Sequence, residues 1–314
     1  MARLSEREYW DTVHAAERED LAATIQPAAA TTAATPSTLK KRLRACAEKL
    51  LGADFLAYVF NYEEQLLWHT IYRRYMPARR GAKVLEIGSA PGQHLINLSS
   101  TFGLDPYGVE YSSGGAQLNR EVFAAAGIDP AQVFETDFFA AEFQTQYRDA
   151  FDVVVSRGFI EHFDDVEDVI RKHLNLLKPG GRLFVMIPNL RGLNYFLSWL
   201  FHKEVLAIHN LKIMDKSAFT QLFADKNLTP RFCDYYGVFS FYLFNTKPGA
   251  WQRTALRLCF YLQLPLNVAF RLLFGATGAR SPLFSPALMF VGEKGLARNA
   301  EGAGPALNSG PHDN

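Results

Sequence analysis

The sequence predicts an α/β fold in which helices cover both faces of a largely parallel sheet. A short apolar run at 84–87 breaks into a glycine-containing turn at 88–92, which is typical of a buried strand that passes into a helix. Further short apolar runs follow in order, and a Lys-Pro-Gly-Gly turn at 178–181 precedes one of them. Strands that alternate with helical segments in this way indicate an α/β sheet.

The turn after the first strand is the candidate ligand site. In an open α/β sheet, ligands bind beyond the carboxyl ends of the strands, where the first strand-to-helix turn approaches them most closely. Gly88 and Gly92 suit this place because a residue without Cβ leaves room for a ligand and adopts unusual backbone angles. Pro91 suits the first turn of the next helix, predicted over about 93–101, since the N–H that it lacks is not needed there.

The glycine spacing distinguishes two classes of ligand. A dinucleotide site uses G-x-G-x-x-G to hold a pyrophosphate at the helix N-terminus. Ala90 and Gln93 stand where the second and third glycines of that pattern would be. The spacing therefore argues against a dehydrogenase, which is the rival enzyme class.

The pattern V-L-E-I-G-S-A-P-G at 84–92 resembles motif I of the class I S-adenosylmethionine (SAM) dependent methyltransferases. The resemblance covers residues 80–190 firmly and 210–295 loosely. It implies a Rossmann-like seven-stranded methyltransferase sheet with SAM as the cofactor. The cofactor contacts that it implies within the motif are Glu86, Gly88, Ser89, Ala90 and Gly92.

Acidic residues end the next two predicted strands. Glu110 follows the second strand, where a carboxylate can accept hydrogen bonds from both hydroxyls of a ribose. The resemblance makes Glu110 the ribose ligand, with Tyr111 beside it, and it assigns Asp137 to the adenine amino group and Phe138 to the face of the ring. The alternatives are a solvated acid at the end of a strand and an Asp that caps the next turn.

The fourth and fifth strands complete the predicted core. The fourth runs over 151–156, and the resemblance places its end, Ser156 and Arg157, against the methionine part of the cofactor. The fifth follows the turn at 178–181, where Pro cannot continue a helix and Gly supplies a positive φ.

Glu161 and His162 are the candidate catalytic residues, because in this class the segment after the fourth strand enters the active-site cleft. A His with a pKa near 6.5 suits the removal of a proton from a hydroxyl that attacks the methyl group of the sulfonium. In the alternative, both residues position the loop and contact the cofactor without transferring a proton.

The same segment restricts the acceptor. Quinone O-methyltransferases have a similar Glu-His pair, preceded three residues earlier by a Glu, and that trio is associated with a divalent ion. Gly158 stands at the earlier position, so we expect no metal. Asp/Asn-Pro-Pro-Tyr, the signature for methylating amino groups of bases, does not follow the fourth strand. We therefore expect methyl transfer to an oxygen of a small-molecule, lipid or sugar acceptor, and a non-catalytic binding or membrane-recruitment module is the alternative.

The charge, the cysteines and the first residues of the chain limit the expected partners and the cellular compartment. A net charge of +1 over 314 residues argues against the basic face that a nucleic-acid partner needs. Cys46, Cys233 and Cys259 show neither metal-ligand spacing nor a disulfide framework, and the first residues lack the apolar stretch of a signal peptide. We expect a cytoplasmic enzyme, and the sequence leaves its oligomeric state open.

Additions surround the predicted core. The predicted segments are an N-terminal helix and flexible linker (1–38), a helical extension (39–80), the SAM-binding core (81–190), the substrate-side half of the sheet (191–295) and a disordered tail (296–314). The N-terminal helix either folds over the cofactor or caps the core. In the extension, Tyr58, Tyr62 and Trp68 have the helical spacing of core residues, although they could line a substrate pocket.

A long apolar insertion at about 240–283 separates the sixth strand from the seventh. Arginines and Pro265 interrupt the roughly 20 apolar residues that a membrane span needs, so we expect two short helices. Three roles remain open: peripheral membrane contact through 251–274, a hydrophobic lid or dimer face, and ordinary core packing.

Overall fold

The computed structural model describes residues 3–5, 7–25, 49, 52–244 and 250–296 of the 314-residue chain. The predicted linker at 26–37, Cys46, the first part of the helical extension and the tail beyond residue 296 lie outside these residues. The strands are β1 (Lys83–Ile87), β2 (Asp105–Glu110), β3 (Val133–Glu135), β4 (Phe151–Arg157), β5 (Leu177–Pro188), β6 (Leu228–Tyr236) and β7 (Ala287–Lys294).

All seven strands form one sheet in the order β3-β2-β1-β4-β5-β7-β6. The first five strands pair in parallel, whereas β7 runs antiparallel to both β5 and β6. This confirms the predicted Rossmann-like α/β class. The carboxyl ends of β1, β2 and β4 meet at one edge because these strands are parallel neighbours.

Helices lie on both faces of the sheet. They are α1 (Arg7–Ile25), α2 (Ala53–Phe60), α3 (Tyr62–Leu66), α4 (Arg73–Tyr75), α5 (Gln93–Phe102), α6 (Ser113–Ala125), α7 (Ala141–Gln146), α8 (Val166–Leu176), α9 (Gly192–His202), α10 (Lys216–Gln221) and α11 (Ala250–Phe274). A π-helical segment, Leu67–Tyr72, joins α3 to α4. Two helices begin at capping residues, since Ser112 accepts from Gly115 N before α6 and Asp215 accepts from Ser217 N before α10.

The strands are apolar on both sides because each side faces a separate core. Leu85 of β1 packs in the core with α7, α8 and α10, whereas Val84 packs in the core with α2, α3, α5 and α6. Tyr58 and Tyr62 belong to the second core and are almost fully buried. Trp68 packs against the same core, with its ring 5.1 Å from that of Tyr72. Their predicted role as core residues is confirmed.

The expectation of two short helices in the insertion was wrong, because α11 is one continuous helix of 25 residues with Pro265 inside it. A proline removes one helical hydrogen bond, but α11 is anchored on both sides of it. Gln263 donates to the carbonyl of Phe239 over 3.1 Å, and Asn267 donates to the carbonyl of Val59 over 2.9 Å. By length and composition alone, Trp251–Phe274 is apolar enough to cross a membrane.

Candidate active site

Two adjoining cavities lie at the carboxyl edge of the sheet. The smaller, of about 190 Å³, is lined by the ends of β2 and β3, including Glu110 and Asp137. The larger, of about 490 Å³, is lined by residues that follow β4 and α9, including Glu161 and His209. The two cavities share a wall, formed by Trp10, Gly88, Ala90, Arg157, Gly158 and His162. A ligand in one cavity therefore lies next to a ligand in the other.

The glycine turn is held tightly from behind by α6. Gly88 and Gly92 have φ angles of 70° and 95°, in the left-handed region that favours glycine. A Cβ at Gly92 would lie 2.1 Å from Asn119 Oδ1, and Asn119 Nδ2 donates to Ser89 Oγ over 2.6 Å. Packing against Asn119 therefore fixes Gly92, and Gly92 lines the larger cavity together with Gly88, Ser89 and Ala90.

Glu110 presents a fixed carboxylate to the smaller cavity. Its Oε1 accepts from Ser112 N over 2.9 Å, and the side chain is buried. Burial raises the pKa of Glu110, while the hydrogen bond from Ser112 and the nearby His14 lower it. A carboxylate held in this way can accept hydrogen bonds from vicinal hydroxyls.

Asp137 and Phe138 also line the smaller cavity, but Asp137 already has partners. It accepts a hydrogen bond from the Arg3 guanidinium and another from Phe139 N. The guanidinium also lies 4.6 Å from the centre of the Tyr111 ring. Phe138 is buried and can pack against an aromatic ligand.

The N-terminal segment closes over the smaller cavity. Leu4 N donates to His162 O over 2.8 Å, the ring of Trp10 meets the ring of His162 edge-on at 5.1 Å, and Asp11 accepts from Ser112 Oγ over 2.6 Å. Trp10 and His14 of α1 line the cavity. These contacts place the segment over the smaller cavity, which agrees with the first of the two predicted roles for this helix.

Glu86, Arg157 and Ser156 are the remaining residues that the resemblance assigns to the cofactor. Glu86 Oε1 is 2.8 Å from His94 Nδ1 and also lines the larger cavity. Arg157 is half-buried on the shared wall, where loss of solvent disfavours its charge but Tyr72 and Glu86 raise its pKa above the ordinary value. It therefore stays cationic. Ser156 differs from expectation because its side chain lines neither cavity: it is buried inside β4, between β1 and β5.

Glu161 and His162 lie together at the larger cavity. His162 Nδ1 is 2.9 Å from the carbonyl of Ile208, so Nδ1 carries the proton and Nε2 carries the lone pair. Burial, followed by the charge of His209, lowers the pKa of His162 to about 3. Burial raises the pKa of Glu161 to about 8. Of the two predicted catalytic residues, Glu161 is therefore the stronger base.

Several residues at the site were missed by sequence analysis, namely Arg3, Trp10, Glu63, His94 and His209. His94 follows the glycine turn and Trp10 belongs to the predicted N-terminal helix, but no pattern singles out either side chain. Arg3, Glu63 and His209 have no motif near them and reach the site through tertiary packing. His209 follows α9 by several residues, yet its ring centre lies 4.5 Å from that of His162. Glu63 lines the larger cavity, and burial raises its pKa to about 7. A half-buried acid with a raised pKa on the wall of a cavity is a signal that only the structure provides.

Comparison with known proteins identifies related sequences. A family model described as a methyltransferase domain matches residues 60–231, more than half of the chain. The 27-O-demethylrifamycin SV methyltransferase of Amycolatopsis mediterranei is 31% identical over 123 residues, which are 38% of this chain and 44% of that protein. Phosphoethanolamine N-methyltransferase 2 of Caenorhabditis elegans is 26% identical over 195 residues, which are 59% of this chain and 42% of that protein. The matches thus span less than half the length of these two relatives.

Among solved structures, the geranyl diphosphate C-methyltransferase of Streptomyces coelicolor, in complex with Mg²⁺, geranyl diphosphate and S-adenosyl-L-homocysteine, superposes with a TM-score of 0.48 at 14% identity. The match covers 74% of this chain and 84% of that one.

Proposed function

The chain belongs to the class I SAM-dependent methyltransferases, and from that premise we propose that it transfers a methyl group from SAM to an oxygen of a small-molecule, lipid or sugar acceptor. SAM is the cofactor of this class. The acceptor and its oxygen are our inference, supported by the chemistry of the larger cavity.

The smaller cavity suits the adenosine part of SAM. The Glu110 carboxylate would accept from the ribose hydroxyls, and Phe138 would cover the adenine ring. The sulfonium would then lie near the wall shared by the two cavities, at Gly88 and Gly158. This arrangement directs the methyl group toward the larger cavity.

The observation that carries the choice of oxygen is the pair Glu161 and His162 in the larger cavity. In the reaction an acceptor oxygen attacks the methyl carbon, and the carbon–sulfur bond breaks with its electrons going to sulfur. The hydroxyl proton must leave as the new bond forms. Two groups that can accept this proton line the cavity, His162 Nε2 and, once ionised above its raised pKa, the carboxylate of Glu161. The protein supplies mainly orientation, since the sulfonium is already a good leaving group.

A direct test measures both substrates. We expect S-adenosylhomocysteine to bind in calorimetry and NAD⁺ not to bind. With methyl-labelled SAM, hydroxyl-bearing phenols, lipids and sugars should accept label where matched amines do not. Transfer to nitrogen alone would contradict the proposal, and binding without any transfer would favour a non-catalytic module.

We further propose that the enzyme acts in the cytoplasm and binds an anionic membrane surface peripherally, through an apolar face on α9 and α11. The exposed members of this face are Leu193, Tyr195, Phe196 and Trp199 of α9 and Trp251, Leu258, Tyr261, Leu262, Leu272 and Leu273 of α11. The exposed charges of α11 are positive, because the helix carries the exposed Arg253 and Arg257 and no acidic residue. Aromatic side chains next to arginines suit the headgroup region of a bilayer.

The apolar face is connected to the larger cavity. Leu243 lines that cavity and packs in the cluster that joins Phe201 of α9 to Leu256 of α11. An acceptor with an apolar part could therefore pass from a membrane surface to the cavity over apolar side chains.

Vesicle co-sedimentation tests this contact. We expect the protein to sediment with phosphatidylglycerol-containing vesicles and less with pure phosphatidylcholine. The double variant Trp251→Ala/Tyr261→Ala should lose sedimentation, whereas Leu296→Ala, an exposed apolar residue beyond β7, should retain it. Equal binding by both variants would remove the assignment of this face.

A further inference from the structure

We propose that Glu161, His162 and His209 form a binding site for a first-row divalent metal ion on the wall of the larger cavity. One ligand atom from each residue lies within 4.8 Å of the other two. Two of the residues belong to the 3-10 turn Ile160–His162 that follows β4, and the third belongs to the segment that follows α9. Asn210 N donates to Glu161 O over 2.7 Å and ties the two segments together.

Both histidines are oriented as metal ligands usually are. His162 Nδ1 is 2.9 Å from the carbonyl of Ile208, and His209 Nδ1 is 2.7 Å from the carbonyl of Val205. A carbonyl only accepts, so each Nδ1 carries hydrogen and each Nε2 keeps its lone pair. Metal-bound histidines are commonly held by such a hydrogen bond from the second ring nitrogen.

Glu161 provides the independent observation. Its side chain is fully buried, and neither carboxyl oxygen has a hydrogen-bond partner among the described residues. Burial of a carboxyl group without a partner is costly, and coordination of a cation is one of the few ways to satisfy it. Oε1 lies 4.0 Å from His162 Nε2, so a single ion can reach both.

The size of the cluster fits one ion after a small adjustment. A cation at the centre of three ligand atoms no more than 4.8 Å apart would lie at most about 2.8 Å from each, whereas zinc–nitrogen bonds are about 2.0–2.1 Å long. Each ligand atom would therefore move inward by less than about 1 Å. Two imidazoles and one carboxylate suit Zn²⁺, Fe²⁺ or Mn²⁺ better than Mg²⁺ or Ca²⁺.

The expectation of no metal depended on Gly158, which offers no side chain where related enzymes have a carboxylate. His209 provides a third ligand from a distant part of the chain, so the missing carboxylate need not abolish the site. Three protein ligands leave coordination positions open toward the larger cavity. With an ion bound, Glu161 and His162 would hold the metal instead of accepting the proton, and an acceptor hydroxyl on the ion would release its proton more readily to water in the open cavity. This use of the ion rests on the proposed function, whereas metal binding itself does not.

Metal content tests the site directly. Untagged full-length protein is stripped with EDTA, loaded with Zn²⁺, dialysed and analysed by mass spectrometry. We expect about one ion per chain in the wild type and in the control His69→Ala, which removes an exposed histidine of the π-helical segment. His209→Ala should bind Zn²⁺ at least tenfold more weakly. Co²⁺ loading should give a visible absorption spectrum in the wild type that His209→Ala lacks.

Binding of S-adenosylhomocysteine serves as the separate readout of folding. If His209→Ala retains it and loses Zn²⁺, the site is supported. If His209→Ala also loses binding of S-adenosylhomocysteine, the variant has misfolded and Glu161→Gln, which keeps the volume of the side chain, replaces it in both assays. Loss of Zn²⁺ with S-adenosylhomocysteine still bound then supports the site. A wild type that retains no Zn²⁺, or variants that retain as much as the wild type, would overturn the proposal even when S-adenosylhomocysteine binds normally.

Discussion

Arg3 and Asp137 form an ion pair at the smaller cavity, although 134 positions separate them in the sequence. Arg3 belongs to the segment that precedes α1, and Asp137 follows β3. The pair fastens the N-terminal segment over the site, together with the main-chain bond from Leu4 N to His162 O. Closure of the smaller cavity therefore depends on contacts that bridge distant parts of the chain.

Replacing Arg3 should open this closure. We expect Arg3→Ala to speed the release of S-adenosylhomocysteine several-fold, because the segment loses both the ion pair and the contact with the Tyr111 ring. Stopped-flow fluorescence measures the release rate. Arg18→Ala is the matched control, since it breaks the exposed pair between Arg18 of α1 and Glu121 of α6. Equal release rates in the two variants would contradict a closing role for Arg3.

Glu110 should determine cofactor affinity. We expect Glu110→Ala to weaken the binding of S-adenosylhomocysteine by about 1–3 kcal/mol, the cost of leaving buried hydroxyls without a hydrogen-bond partner. Calorimetry measures the change. Glu135→Ala is the control, because Glu135 ends the neighbouring strand β3 but pairs with Arg120 at the surface. An unchanged affinity in Glu110→Ala would remove its assignment as the ribose ligand.

The sequence could predict the sheet and the glycine turn because both depend on local patterns. Alternating short apolar runs identify parallel strands, and Gly88 and Gly92 mark the turn by the absence of side chains. Arg3 and His209 could not be predicted in the same way. Their positions depend on how α1 and the segment after α9 pack against the core, and no spacing in the sequence encodes those contacts.

Pro265 illustrates the opposite difficulty. A proline predicts a helix end when only local hydrogen bonding is considered. In α11, tertiary hydrogen bonds of Gln263 and Asn267 stabilise a helix that continues through Pro265. Local rules fail where several distant contacts together outweigh one lost hydrogen bond.

Gly92 offers a test of packing behind the turn. We expect Gly92→Ala to destabilise the protein by about 2–4 kcal/mol, because it combines a strained backbone angle with a Cβ placed 2.1 Å from Asn119 Oδ1. Gly81→Ala is the control, since Gly81 also has a positive φ but its Cβ would meet nothing within 4 Å; it should cost only about 1 kcal/mol. Urea unfolding measures both, and equal losses would show that the close contact with Asn119 is unimportant.

Glu63 should make stability depend on pH in a defined direction. Burial raises its pKa from 4.5 to about 7, with Arg157 acting in the opposite sense and Glu64 in the same sense. The folded protein therefore binds a proton that the unfolded chain releases between about pH 4.5 and 7, so this group lowers stability as pH rises through that range. Glu63→Gln removes the titration while it keeps the shape of the side chain.

We expect the unfolding free energy of the wild type, relative to Glu63→Gln, to fall from pH 5 to pH 7 and to level off above pH 8, as measured by urea unfolding at each pH. A difference between the two proteins that stays constant from pH 5 to pH 8 would mean that Glu63 ionises as readily in the folded protein as in the unfolded chain.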